Sequence, residues 1–103
     1  SEEEQNLIAL ASALEKQNLH ADYELAHCRL GIQCYQTIEA RKRLDHSAIP
    51  LESQPAADQS YRDAAQKVYE GFVKLMESYK DSNDLQKQQI YQLWDEVIHR
   101  SKD

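Results

Sequence analysis

Only four of the 103 residues, Gly31, Gly71, Pro50 and Pro55, belong to the two types that most strongly interrupt regular structure. A many-stranded sheet needs a turn roughly every ten residues, and glycine and proline build many of those turns. Two of each in the whole chain leave little material for such a fold. Long helices joined by few connections are the natural alternative, and the chain reads as all-α: a compact bundle of about four helices built as two antiparallel helical hairpins.

The length fits one domain, 1–103, and is enough for a core that needs no disulfide or metal to hold it. Aliphatic and aromatic residues make up 41% of the chain, unlike a disordered segment. Apolar spacing then places the helices. Helix 1 spans about 2–17, with Ser1 and Glu4 at capping-box spacing and a stripe of Leu7, Leu10, Ala11 and Leu14, widened by Ile8. Residues 18–21 form a break. Helix 2 spans about 22–44. Helix 3 spans about 57–80, where Tyr61, Ala65, Val68, Phe72, Leu75 and Tyr79 alternate four and three residues apart, the seam of coiled-coil-like packing. Helix 4 spans about 84–101, with Leu85, Ile90, Leu93, Trp94, Val97 and Ile98. The short turn of Asp81, Ser82, Asn83 and Asp84 makes helices 3 and 4 antiparallel neighbours. Residues 45–59, punctuated by both prolines, read as one long loop whose Ile49 and Leu51 cap the end of the bundle.

Helix 2 carries two apolar stripes. Tyr23, Ala26, His27, Leu30, Cys34, Thr37, Ile38 and Leu44 form the main one, expected to face the core. Leu25, Cys28, Ile32 and Tyr35 form a second on the far side. A helix that is apolar on two sides is surrounded by neighbours or offers one side to a partner. Gly31, inside the helix, costs about 1 kcal/mol against alanine and marks a close helix crossing.

Few residues suggest chemistry. Glu24 and His27, and again Glu96 and His99, have the Glu-x-x-His spacing used by di-metal carboxylate bundles, and Glu15, Glu70 and Glu77 could complete such a set. In an up-down-up-down bundle, however, His27 and His99 fall at opposite ends, on the order of 20 Å apart. Glu96 and His99 also point away from the Trp94 stripe. No cofactor and no metal site is therefore expected, and no catalytic residue. Cys28 and Cys34 lie six residues apart on one helix, a climb of about 9 Å. A disulfide needs Cα atoms within roughly 7 Å, so both are read as free thiols, which fit a reducing cytoplasm.

Charge bounds the partners. The net charge is −6, and the one basic run is Arg41-Lys42-Arg43 at the end of helix 2, where the helix dipole favours it. A nucleic-acid binder would show a basic face. No apolar run is long enough for a membrane span, and the Ser1-Glu2-Glu3-Glu4 opening does not read as a signal peptide.

Through Tyr61, Ala64, Lys87-Gln88, Ile90, Glu96 and Arg100 the last hairpin resembles helices 2 and 3 of microtubule-interacting-and-trafficking domains. Through Asn83, Val97 and Arg100 it also resembles the rapamycin-binding four-helix domain of the TOR kinases. Two unrelated families fitting one hairpin implies an amphipathic hairpin and assigns neither.

The expectation is a non-enzymatic protein–protein interaction module, of adaptor, inhibitor or secretion-chaperone type, whose acidic surface suits a basic partner protein. Its contact residues are read as Leu25, Ile32, Tyr35 and Tyr91, since tyrosines are enriched at interfaces. A helical homodimer is the alternative, and the di-metal bundle a second.

Overall fold

The computed structural model describes residues 1–100, and the last residue of the expected helix 4, Ser101, lies outside them. Four helices follow one another: α1 (Glu2–Lys16), α2 (Asp22–Ala48), α3 (Gln54–Lys80) and α4 (Leu85–Arg100), with a single 3-10 turn at Leu51–Ser53. Each packs on its neighbour in sequence, and α1 closes the ring against α4. The all-α bundle of two antiparallel hairpins is therefore the observed architecture.

Local chemistry sets the helix ends. The Ser1 hydroxyl accepts from the Glu4 N–H at 3.2 Å and starts α1. At the α3–α4 turn the Asp84 carboxylate accepts from the Gln86 N–H at 2.9 Å, and Ser82 Oγ accepts from the Asp84 N–H at 3.0 Å. Between α1 and α2 no glycine or proline acts. The turn is anchored instead by Ala21, buried at the head of α2.

The long loop expected at 45–59 is mostly helix. α2 continues to Ala48, and α3 begins at Gln54 with Pro55 in its first turn. Proline is favoured there because a first-turn N–H has no intrahelical acceptor to lose. Pro50 does mark a real break. It holds the preceding Ile49 in an extended conformation, φ −95° and ψ 135°. Ile49 is half-buried, but Leu51 is 79% exposed and caps nothing.

The core is assembled from α1 (Leu7, Leu10, Leu14), α2 (Cys28, Tyr35), α3 (Ala65, Phe72, Met76, Tyr79) and α4 (Ile90, Trp94, Val97). Phe72 meets Trp94 edge to face at 5.5 Å between ring centroids, the arrangement favoured by the ring quadrupoles. The expected α1, α3 and α4 stripes thus face inward, except for Ile8 of α1 and Leu85 of α4, which are 39% and 67% exposed. At Gly31 the backbone of α2 comes close to α1. A Cβ added there would lie 2.8 Å from Leu7 Cδ1, so the glycine does mark a tight crossing.

The helices are unequal. α2 and α3 have 27 residues each and α1 and α4 only 15 and 16, about 40 Å against about 23 Å at 1.5 Å per residue. The α2–α3 hairpin accordingly overhangs the rest, and the molecule measures 52 × 24 × 20 Å. No α2 residue beyond Tyr35 and no α3 residue before Ala65 is fully buried. Polar bonds fasten the overhang: His46 Nε2 lies 2.6 Å from Asp58 Oδ1, and Gln54 Nε2 donates to the carbonyls of His46 and Ile49 at 3.1 and 3.2 Å. Tyr61 adds a hydroxyl bond to Asp45.

Candidate functional site

The two stripes of α2 are placed opposite to expectation. Cys28 and Tyr35 are buried, and Leu25 and Ile32 pack half-buried against the core. The Tyr35 hydroxyl donates to the Ala65 carbonyl of α3 at 3.1 Å. Its phenol is pushed up to about 12, first by burial and then by the charge of Glu3. Leu25, Ile32 and Tyr35 therefore hold α2 to its own bundle and do not form a free face. Tyr91, the remaining expected contact residue, is half-buried on α4 and also packs against the core.

The stripe expected to point inward is the one that faces solvent. Tyr23 is 65% exposed, Leu30 61% and Leu44 66%, with Ala26, Cys34 and Thr37 exposed between them. Of the eight residues expected in that stripe, only His27 and Ile38 turn toward the bundle and are half-buried. His27 sets its ring edge to face on Phe72 at 5.3 Å. One signal in the sequence distinguished the stripes. Gly31 marks the close crossing, and on a helix it lies on the side of Cys28 and Tyr35, about 100° round from Leu30.

The outward stripe has its own period. Tyr23, Leu30, Thr37 and Leu44 recur every seven residues, the repeat that keeps one seam facing a neighbouring helix. It runs 21 residues, about 31 Å. Isolated exposed apolar residues are ordinary on a protein surface, but residues repeated on one helix face at this period form a seam on which another helix can pack.

The groups with chemical potential are otherwise engaged. Glu24 is buried and accepts the Tyr79 hydroxyl at 2.7 Å. That carboxylate, together with burial, raises the Tyr79 phenol, burial being the larger cause. His99 is exposed and bonds back to the Asp95 carbonyl at 2.7 Å. Among the described residues no three His, Cys, Asp or Glu side chains gather as a metal site would require. The Glu24–His27 and Glu96–His99 pairs are thus not brought together with a third such group. Both cysteines are free, Cys28 buried and Cys34 exposed. Burial, then the charge of Glu24, pushes the Cys28 thiol up to about 12, the reverse of what a thiolate nucleophile needs.

Where the overhang meets the start of α1, a cleft of about 220 Å3 lies between Glu3, Tyr35, Ile38, Lys42, Tyr61 and Arg62. Small-molecule sites generally enclose about 300–1,000 Å3, and the opposed charges lining this one favour no single ligand class. No described helix is long and apolar enough to cross a membrane.

No family model, no curated protein and no solved structure matches this chain.

Proposed function

We propose that the chain is a non-enzymatic protein–protein interaction module that docks through the outward stripe of α2. The observation that supports this reading is the seven-residue spacing of Tyr23, Leu30, Thr37 and Leu44 on the face of α2 opposite its buried side. α2 already has a complete inner face, and Leu30 and Leu44 lie outside the core it builds. Covering them with a partner would contribute on the order of 1–2 kcal/mol for each leucine. The free thiols of Cys28 and Cys34 accord with a reducing, cytoplasmic setting.

The reading is tested with tagged full-length protein as bait in its native lysate, wild type beside Leu30→Asp and Leu44→Asp. Both positions are exposed, so the variants retain the wild-type circular dichroism and melting temperature. Loss of the captured protein, whether another chain or an untagged copy, is the expected result. Capture unchanged by both variants would move the docking surface elsewhere.

A further inference from the structure

We infer that the occupant of the α2 stripe is a second copy of this chain, laid antiparallel across a two-fold axis that passes beside Cys34. This rests on the stripe being a docking face and adds what fills it. The first observation is the self-complementarity of the stripe. Its midpoint falls between Gln33 and Cys34. Reversing a copy about that point sets Tyr23 against Leu44 of the second copy and Leu30 against its Thr37, each contact occurring twice, as a two-fold interface requires. The small side chains of Ala26, Cys34 and Ala40, all exposed beside the seam, let the two helices approach.

The second observation is charge. Asp22 opens α2 and Arg43 lies near its other end, a multiple of seven residues away and hence on the same flank of the stripe. Both are exposed, and neither has an ion-pair partner among the described residues. In the antiparallel arrangement each Asp22 meets Arg43 of the second copy, and this pairing occurs at both ends. Flanking charges of this kind set the orientation of paired helices. A parallel arrangement would instead place Arg41 and Arg43 beside the same residues of the second copy. The other arginine of that flank, Arg29, is already tied to Glu15 of α1 at 2.8 Å and does not compete.

Sedimentation velocity on the full chain at low salt tests the inference, with Leu30→Asp, Asp22→Arg, Arg43→Asp and the double variant Asp22→Arg/Arg43→Asp. Wild type is expected to dimerise at micromolar concentration and Leu30→Asp to sediment as a folded monomer. Each single charge reversal turns two attractions into two repulsions and raises the dissociation constant about tenfold; the double reversal restores it. Mild oxidation should join wild-type dimers through Cys34, and Cys34→Ser should abolish that link, since Cys28 is sealed in the core. A wild-type monomer at about 100 μM, well above the micromolar dissociation constant expected, would overturn the inference. So would a double reversal as weak as either single one. A wild-type monomer that still captures a different protein through Leu30 would sink the second copy alone and leave the docking face standing. A wild-type monomer whose captures ignore Leu30 would remove both.

Discussion

Tyr79 of α3 donates its hydroxyl hydrogen to the carboxylate of Glu24 on α2 across 2.7 Å, and both side chains are buried. A carboxylate in that position depends on its donor, because a buried charge without a hydrogen bond is costly. Tyr79→Phe removes the donor and should destabilise the protein by about 1–3 kcal/mol. Adding Glu24→Leu to Tyr79→Phe should recover much of the loss, because no polar group is then left unsatisfied. Urea unfolding of the single and double variants measures both. A Tyr79→Phe midpoint equal to wild type would show that Glu24 finds another donor.

The two helix-interior glycines should respond differently to alanine. Nothing lies within 4 Å of a Cβ added at Gly71, so Gly71→Ala should gain up to about 1 kcal/mol from helix propensity. At Gly31 the same gain is opposed by Leu7, which is buried and must shift. Gly31→Ala should therefore fall short of Gly71→Ala, and Gly31→Val should destabilise outright by overpacking. Thermal melts of the three variants check the order. A Gly31→Val protein as stable as wild type would mean that α1 and α2 do not cross closely there.

Within the core, Phe72→Ala and Trp94→Ala should each cost about 3–5 kcal/mol, and Ile32→Asp should unfold the protein rather than only weaken an association. Ile32 packs on the core, and an unpaired charge placed there has no compensating partner. Circular dichroism separates the outcomes: a helical, cooperatively melting Ile32→Asp protein would return the Leu25–Tyr35 stripe to the surface.

Alkaline pH should destabilise the fold before any backbone chemistry intervenes. Cys28 is raised from 9.0 to about 12, Tyr35 from 10.0 to about 12, and Tyr79 is also raised. Each is neutral when protonated, so between about pH 9 and 12 the unfolded chain has released protons that the folded one retains. Stability from these groups is complete below pH 9 and declines as pH rises through that window. The denaturation midpoint followed from pH 8 to 11 should fall, and Cys28→Ala should delay its onset. A midpoint flat to pH 11 would contradict the burial of these groups.

Helix number, order and approximate ends followed from periodicity and from the scarcity of glycine and proline, because 3.6-residue spacing is a local property of the chain. The inward faces of α1, α3 and α4 were legible for the same reason: each has one apolar stripe, and Leu10, Phe72 and Trp94 could point only one way. The fate of residues 45–59 was not. Both prolines read as breaks, yet a proline in the first turn of a helix breaks nothing, and which case holds depends on where the neighbouring helix lies. Nor could α2 be oriented from its apolar pattern, and Gly31 alone marked the inner side. It has two apolar stripes of similar strength, and hydrophobicity is blind to direction, so the choice rested on contacts made by other helices. The approach of Leu7 to Gly31, the reach of Tyr79 to Glu24 and the bond of Tyr35 to the Ala65 carbonyl fix the Cys28 side inward. Tyr23, Leu30 and Leu44 then face solvent because α1 and α3, packed on the inner side of α2, leave its outer side bare.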